Sequence, residues 1–406
     1  PYLCLMAQTG LRFFVGQYGS PPLARPWQSH YRPIPPNITL LDEAEWQAEL
    51  MAGRFDVAIA HNETNALNIF PAPCPKILVC HNRKTFLKTT VTVHRGDALL
   101  QFNRALAKLQ ERFEFVFISE SKRDDYGIPG RVILPGIDVE TYGGYTGDTA
   151  EVLRVGNMMR ERNLMFDVDF QERACRGLAN RVVGDNPTIP GANSAASFSE
   201  LRNTFRQLRC LLHVSREEYE DGYNLSMLEA MATGMPVVAL ANPSSPITDG
   251  EDGFLSYDAE VLHARLADLL RDLDLARAVG ERGRETVARK FSIDAFTAKW
   301  REVIETAAEK GGRAWRPRPV SATDRRSILA HYAASPLTTG RYIDRALRKR
   351  HRVVAAGFRV PEPVLEGWGF TGPPPAYSPH EIDLPLEHTF ADIVNALPEG
   401  FKPDIY

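Results

Sequence analysis

Two acidic residues, Asp221 and Glu229, lie eight positions apart in the segment DGYNLSMLEAMATGMPVVAL. Asn224 can cap a helix that begins between them, and Gly234 followed by a proline ends that helix before an apolar strand. A helix N-terminus combines unpaired N–H groups with the positive end of the helix dipole, so it suits an anion. Two carboxylates beside such a site favour a ligand that carries both phosphate and hydroxyl groups.

This segment resembles the signature of the retaining glycosyltransferases of family 4, which have the GT-B fold. The signature is two glutamates separated by seven residues, followed by alanine-methionine-alanine-x-glycine-x-proline-valine-valine. The run from Glu229 to Val238 fits it residue by residue, and Asp221 stands where the first glutamate would be. The resemblance implies that Glu229 holds the ribose hydroxyls of a nucleotide sugar. Asp221, one methylene shorter than the usual glutamate, would lie beside the donor sugar.

The resemblance also places a diphosphate site after the strand VLRVGNMM. The family has an arginine there, which corresponds to Arg160, and usually a lysine five residues later. Met165 takes the place of that lysine, and Arg162 is the nearest substitute. Cationic side chains and N–H groups can stabilise a leaving diphosphate, so we expect no cofactor and no required metal. The alternative for both arginines is an ordinary solvated loop position.

A histidine follows each of two predicted strands of the first domain. His81 comes directly after the apolar run PKILVC, at the carboxyl end of a parallel strand, where open α/β sheets bind ligands. The resemblance implies that His81 contacts the donor sugar, which makes it a catalytic candidate together with Asp221. His61 ends the preceding strand in the same way and is a second candidate. A structural, hydrogen-bonded histidine is the alternative in each case.

The remaining predicted donor contacts lie at element ends of the second domain. Gly184 and Asn186 end the strand NRVVGDN, where the base or ribose would lie in this fold, and the glycine permits close backbone approach. The helix N-terminus would bind the diphosphate through the residues Gly222, Tyr223, Asn224 and Leu225.

Two acid-x-acid triplets, Asp167–Asp169 and Asp272–Asp274, are the best candidates for a divalent metal. Two-residue spacing on a helix puts the carboxylates on different faces, so we predict no metal site. The five cysteines have no close metal-ligand spacing and are expected to be reduced core thiols. The sequence has no serine-histidine-acid order and no Walker loop.

Length, charge and hydropathy limit the classes of protein to which this chain can belong. The 406 residues predict two or three compact domains, and a net charge of -3 argues against a nucleic-acid partner. No apolar stretch approaches the roughly 20 residues that span a bilayer, and the first residues do not resemble a signal peptide. We therefore expect a cytoplasmic protein.

Strands and helices alternate from Asp42 onward, which predicts two doubly wound parallel sheets. The predicted fold class is α/β of the GT-B type, with two Rossmann-like domains, an interdomain cleft and a partial third α/β segment. The predicted divisions are an acceptor domain at 1–145, a donor domain with a return helix at 146–310, a linker at 311–324 and, at 325–406, a segment resembling the start of another GT-B domain.

The resulting prediction is a metal-independent hexosyltransferase, retaining by resemblance, that takes a sugar from a nucleotide-diphosphate-sugar donor. The acceptor classes left open are a saccharide, a lipid-linked molecule and a protein, within cell-surface polysaccharide biosynthesis. Peripheral membrane contact and fusion to a second glycosyltransferase domain are also left open. The alternatives are a nucleotide-sugar 2-epimerase of the same fold and a non-catalytic nucleotide-sugar-binding scaffold.

Overall fold

The computed structural model describes most of the chain, and its residues fall into two compact units, Pro1–Trp315 and Arg316–Tyr406. The described residues are 2–18, 27–29, 31–92, 98–314, 327–331, 347–348, 352–357, 382–383, 390–399 and 401. None of the described helices has the length and apolar character that a membrane crossing requires.

The first half of the larger unit contains two parallel sheets. Its elements are α1 (Tyr2–Ala7), β1 (Phe13–Gly16), β2 (Ile38–Leu41), α2 (Glu43–Met51), β3 (Ala58–Ala60), α3 (Glu63–Ile69), β4 (Lys76–Cys80), α4 (Lys84–Thr92), α5 (Ala98–Gln110), β5 (Phe113–Phe117), α6 (Glu120–Tyr126) and β6 (Arg131–Val132). Strands β1 and β2 pair with each other, and the larger sheet has the order β3-β4-β5-β6.

Local sequence signals account for several of these elements. Asp42 and Glu45 have the spacing of a capping box and start α2, because Asp42 accepts a hydrogen bond from the Glu45 amide at 2.8 Å and Glu45 accepts one from the Asp42 amide at 3.1 Å. All five residues of β4 are buried, as expected for a parallel strand covered on both faces. The run from Phe55 to Ala60 predicts a strand, and β3 covers only its last three residues.

The second half of the larger unit is a single parallel sheet of order β11-β10-β9-β7-β8 with helices around it. Its elements are β7 (Thr149–Val155), α7 (Asn163–Phe166), α8 (Val168–Ala174), β8 (Asn180–Val183), α9 (Phe198–Gln207), β9 (Leu208–His213), α10 (Leu225–Thr233), β10 (Val237–Leu240), β11 (Phe254–Ser256), α11 (Ala259–Arg271), α12 (Leu273–Lys290) and α13 (Ile293–Ala314). The predicted alternation of strands and helices is therefore confirmed in this half.

Helix α13 returns from the second half to the first, as predicted. Phe296 and Trp300 are fully buried on α13, in one apolar cluster with Ile77 and Val79 of β4 and Val116 of β5. The helix continues to Ala314 and so includes the first four residues of the predicted linker at 311–324.

Residues 141–149 are rich in glycine and tyrosine, which predicts a hinge, but the segment is anchored to the second half. Gly143 and Gly147 have positive φ angles of 107° and 64°. The Arg206 Nε atom donates to the Gly143 carbonyl at 2.7 Å, and the Arg209 Nε atom donates to the Gly147 carbonyl at 2.5 Å. These arginines belong to the α9–β9 region, so the segment is held to the second half and does not hang freely between the halves.

The smaller unit contains a parallel sheet of order β12-β13-β14. Its elements are β12 (Ser327–His331), β13 (Arg352–Gly357), β14 (Ile382–Asp383) and a final helix, α14 (Phe390–Asn395). The apolar runs SILAH and RVVAAG predict two strands, and both are confirmed. The residues between them predict a helix at 338–350, which lies outside the described residues except for 347–348, and so does most of the final GFKPDIY. That this unit begins another GT-B domain stays a prediction.

Candidate active site

A cleft of about 1450 Å³ lies between the two halves of the larger unit. The first half contributes most of its described walls, including His61 and His81 at the ends of β3 and β4. The second half contributes Asn157, Met158 and Asp185, which follow β7 and β8. The carboxyl ends of the two parallel sheets therefore face one space, which is where this type of fold binds ligands.

The two candidate histidines form a pair in the wall of the cleft. His61 Nδ1 lies 3.0 Å from His81 Nε2, and the Tyr2 ring stands edge-on to His81 at 4.7 Å between ring centroids. Burial lowers the pKa of His61 to about 4 and the pKa of His81 to about 3, and the positive charge of Lys122 adds to the second effect. Both rings are neutral at pH 7, so His81 is suited to hydrogen bonding with a ligand and not to acting as a cation.

Glu229 of α10 is buried and paired with Arg32, a residue of the first half that lines the cleft. Its Oε1 atom accepts hydrogen bonds from Arg32 Nη2 at 3.1 Å and from the Tyr142 hydroxyl at 2.8 Å. Burial raises the pKa of Glu229, and Arg32 opposes that effect. The Oε2 atom accepts no hydrogen bond within the described part of the chain. Glu229 therefore keeps one oxygen for a ligand, as the predicted ribose contact requires.

Asp221 is not in the described wall of the cleft, contrary to the predicted contact with a donor sugar. It is 1% exposed, and its Oδ2 atom accepts a hydrogen bond from Nζ of Lys122, which belongs to α6 of the first half. Its Oδ1 atom is buried with no hydrogen-bond partner among the described residues. Asp221 is thus half of an ion pair between the two halves. The physical reason is that Lys122 needs a buried counter-charge.

The residues at the start of α10 are used largely for packing. The predicted cap is confirmed, because Asn224 Oδ1 accepts a hydrogen bond from the Met227 amide at 2.9 Å. The Gly222 amide, however, already donates to Ser244 Oγ at 2.8 Å. The Tyr223 ring is buried against another aromatic ring, and Leu225 packs against the same apolar core. Any diphosphate contact here must come from backbone N–H groups.

Gly184 and Asn186 hold two loops together at the cleft. A Cβ atom on Gly184, whose φ is 135°, would lie 2.1 Å from the Gly156 carbonyl oxygen. Asn186 is buried, accepts a hydrogen bond from the Met159 amide at 2.8 Å and donates one to the Gly156 carbonyl at 2.6 Å. Both predicted donor contacts therefore have structural roles. The residue between them, Asp185, is exposed and lines the cleft.

Arg160 and Arg162 are exposed on the loop after β7. The Arg162 guanidinium lies 5.1 Å from the centroid of the Phe166 ring and contacts the Met165 sulfur at 3.3 Å. Met165, which replaces the family's lysine, is buried, and its carbonyl accepts a hydrogen bond from the Arg216 amide at 3.0 Å. The methionine thus supports the loop that leads to Asp221, and the two arginines remain accessible.

The acid triplets have structural roles. Asp167 caps α8 by accepting a hydrogen bond from the Phe170 amide at 3.2 Å, and Asp272 caps α12 through the Leu275 amide at 2.9 Å. No group of three or more metal-binding side chains occurs within the described ranges. The five cysteines are free thiols.

Two functional candidates, Arg32 and Lys122, were not predicted from the sequence. Both are far from the motif in sequence, and only the tertiary structure brings them to its acids. Asp185 lies at the predicted strand end together with Gly184 and Asn186, where the sequence places the base or ribose, and it lines the cleft.

The two parallel-sheet halves and the cleft between them form a fold of the GT-B type, which confirms the predicted fold class. A structure of Anabaena Alr3699/HepE with UDP and glucose aligns with 73% of this chain and 100% of its own, at a TM-score of 0.54 and 13% identity. Sucrose-phosphate synthase from Thermosynechococcus elongatus aligns with 74% of this chain and 90% of its own, at a TM-score of 0.52 and 15% identity. At these identities the likeness shows the fold alone.

Residues 168–272 match the family model described as Glycosyl transferases group 1. A poly(ribitol-phosphate) alpha-N-acetylglucosaminyltransferase from Staphylococcus aureus is 34% identical over 94 residues, which cover 22% of this chain and 19% of that protein. WcaL, a glycosyltransferase named for colanic acid biosynthesis in Salmonella typhimurium, is 35% identical over 91 residues, covering 21% of this chain and 22% of the relative. The chain spans about a fifth of the length of these relatives. It carries a glycosyltransferase group 1 domain, and membership of family 4 stays a prediction.

Proposed function

We propose that this protein is a retaining, metal-independent glycosyltransferase that takes a sugar from a nucleotide-diphosphate-sugar donor. The observation that carries the proposal is Glu229, which lies inside the matched domain and has one carboxylate oxygen without a partner among the described residues, beside the contact with Arg32. Retention rests on the resemblance of the segment 221–240 to family 4.

The donor's nucleoside would be held by the second half. Glu229 Oε2 would accept hydrogen bonds from the ribose hydroxyls, while Arg32 and Tyr142 orient the carboxylate through Oε1. Arg32 also favours the ionised carboxylate, which is the stronger acceptor. Asp185 and Asn157, in the cleft wall, are placed to meet further polar groups of the nucleoside.

The diphosphate would be stabilised by cations and not by a metal. Arg160 and Arg162 are accessible on the loop after β7, and the first turn of α10 adds backbone N–H groups. As the bond from the anomeric carbon to the diphosphate oxygen breaks, the acceptor oxygen bonds to the same face of the sugar. The proton of the acceptor hydroxyl passes to the departing diphosphate, and neutral His81 supplies a hydrogen bond to the sugar.

The acceptor and the biological context are inferred from the names of the relatives. Their names refer to poly(ribitol phosphate) and to colanic acid, which supports a role in cell-surface polysaccharide synthesis. We propose a saccharide acceptor, free, lipid-linked or attached to protein. UDP sugars are the first donors to test, because a structural neighbour binds UDP and glucose.

One observation favours the non-catalytic alternative, a nucleotide-sugar-binding scaffold. Asp221, the acid expected beside the donor sugar, is buried in an ion pair with Lys122. A scaffold would bind a nucleotide sugar without releasing the nucleotide.

The proposal is tested by a thermal-shift panel of UDP-glucose, UDP-N-acetylglucosamine and GDP-mannose, followed by product analysis. A donor at about 100 times its dissociation constant should add about 2.7 kcal/mol to the free energy of unfolding. Glu229→Gln should lose most of that shift, whereas the exposed Glu281→Gln control should keep it. Released nucleotide with a glycosylated acceptor supports a transferase, and an altered free nucleotide sugar supports an epimerase. Binding without either product supports a scaffold.

A further inference from the structure

The loop from Arg216 to Asp221 is where the first half of the larger unit meets the acids of the second half. Lys122 of α6 is 1% exposed, and its Nζ atom contacts Oε1 of Glu220 and Oδ2 of Asp221. Arg83, also from the first half, donates to the carbonyl of Glu217 in the same loop. One buried lysine therefore joins two adjacent carboxylates across the boundary between the halves.

The two carboxylates that share Lys122 are not equivalent. The side chain of Asp221 is 1% exposed, whereas that of Glu220 is 16% exposed. Glu220 uses Oε1 for both Lys122 and the Asp221 amide, which donates at 2.8 Å. Its Oε2 atom has no hydrogen-bond partner among the residues that the structure describes. Glu220 can therefore accept a hydrogen bond from a ligand while its contact with Lys122 stays intact.

Charge also distinguishes Glu220. Desolvation lowers the pKa of Arg162 and the Glu220 carboxylate opposes that effect, so Glu220 acts on the loop that carries the accessible arginines. Burial and Asp221 raise the pKa of Glu220 itself, and Lys122 lowers it. Without Lys122, two adjacent carboxylates would lie in a largely buried site without this counter-charge, which favours protonation of one of them.

We propose that Lys122 is a positioning residue of the donor site. Its ammonium group is anchored by Asp221 and holds Glu220 as the carboxylate that faces the donor sugar. This inference rests on the proposed function. It gives Glu220 the sugar contact that the sequence assigned to Asp221. Because Lys122 and Glu220 belong to different halves, the acid is positioned only when the halves are together. A hydroxyl of the donor sugar would donate to Glu220 Oε2.

The first test compares Glu220→Gln with Asp221→Asn in the full chain, using whichever panel donor the wild-type protein turns over. Glu220→Gln should lower kcat at least about tenfold, the size expected for one lost charged hydrogen bond. The thermal shift given by UDP alone should stay unchanged, because the acid contacts the sugar. Asp221→Asn should lower kcat less, and the exposed Glu218→Gln control should match wild type. A larger loss in Asp221→Asn than in Glu220→Gln overturns the inference.

The second test asks whether Lys122 acts through Glu220. Lys122→Met should lower kcat as Glu220→Gln does, and the double variant should be no worse than either single variant, since the two residues act as a unit. Lys122→Met should also move the acidic limb of the kcat profile to higher pH, because the loss of the ammonium raises the pKa of Glu220 further. Lys122→Arg should restore kcat and the position of the acidic limb. Lys108→Met, on the exposed face of α5, should change neither kcat nor the pH profile.

Three outcomes separate the claims. Additive losses in the double variant, with an unmoved pH profile, show that Lys122 is only structural and overturn the inference. If the wild-type protein is active and Glu220→Gln has the wild-type kcat, the inference is overturned and the proposed function stands. Wild-type protein that binds no panel donor and releases no nucleotide overturns both.

Discussion

Each acid of the motif that the sequence identified is paired with a cation from the first half. Glu229 pairs with Arg32, and Asp221 pairs with Lys122. The acids could be predicted because their spacing is local, at eight positions within one helix start. The cations could not, because their partners depend on how the two halves meet. A lysine within a seven-residue helix gave no signal that it is buried.

Replacing Arg32 tests whether it supports or blocks Glu229. Arg32→Met should raise the pKa of Glu229, because burial already raises it and Arg32 is the largest opposing influence. Nucleotide affinity should then fall as the pH decreases from 8 to 6, by up to about tenfold per pH unit. Arg32→Lys, which keeps the charge, should behave more like wild type. Tighter binding by Arg32→Met at every pH would show that Arg32 only occupies the site.

A buried histidine outside the cleft should make the protein sensitive to acid. His213 ends β9, its Nε2 has no partner among the described residues, and burial lowers its pKa to about 4. The unfolded chain therefore takes up this proton first, near pH 6.5. The stability due to neutral His213 is complete above pH 6.5 and decreases toward pH 4, by about 1.4 kcal/mol per pH unit at most.

Urea unfolding at pH 7.5 and pH 5.0 measures this effect. The free energy of unfolding should fall by about 2 kcal/mol more in wild type than in His213→Asn over that interval. The free energy of unfolding of His263→Asn, a change at a partly exposed position of α11, should fall by as much as that of wild type. Equal slopes in wild type and His213→Asn would contradict a neutral buried histidine.

At the scale of elements, the strand-end loops explain why some predicted donor contacts turned out to be structural. The sequence placed Gly184 and Asn186 at the end of β8, where ligands bind in this fold, and that position is confirmed. The direction of the side chains is set by the neighbouring loop at 156–159, whose carbonyl and amide groups take both hydrogen bonds of Asn186. A pairing between two loops has no signature in either loop alone.

Gly184→Ala should damage both the fold and the cleft. A Cβ atom would overlap the Gly156 carbonyl at a φ of 135°, which should cost about 2–5 kcal/mol from overlap and strain together. Displacing that loop should also raise KM for the donor, since Asn157 lines the cleft. Gly191→Ala, with φ of 78° and open space around it, should cost only about 1–2 kcal/mol. Thermal unfolding and donor kinetics check both variants, and equal effects would contradict the loop packing.

The return helix α13 should be important for the stability of the first half. Trp300 is 0% exposed and packs against Phe296 and residues of β4, so Trp300→Ala should cost about 3–5 kcal/mol. Lys299→Ala, at an exposed position one residue earlier, should cost less than about 0.5 kcal/mol. Urea unfolding compares the two variants. A small effect of Trp300→Ala would mean that α13 does not join the core of the first half.

For the whole molecule, the doubly wound architecture followed from the alternation of apolar strands and amphipathic helices. The helices from Asp258 to Lys310 were predicted from a nearly continuous helical pattern, and the return of the last one was implied by the family resemblance. The pairing of β1 with β2 as a separate sheet was not predicted, since short strands carry little periodicity. The anchoring of the 141–149 segment was also missed, because it depends on arginines about 60 residues away.

The two halves are connected by charged contacts as well as by α13. Arg32, Arg83 and Lys122 of the first half all reach the segment 216–229 of the second. Charged contacts of this kind stabilise the arrangement in which the two halves are together, and a ligand in the cleft can shift that equilibrium in either direction. The proposed donor site is therefore shared by both halves, although the matched family domain covers only 168–272.

The most direct test of the central claim is the rate of nucleotide release from the panel donors by wild type, Glu229→Gln and Glu281→Gln. We predict release by wild type and by Glu281→Gln at similar rates. Glu229→Gln should be slower by about 10–150-fold in kcat/KM, the equivalent of one lost charged hydrogen bond of about 1.5–3 kcal/mol. Nucleotide release by Glu229→Gln at the wild-type rate would contradict the proposed binding of the donor by Glu229.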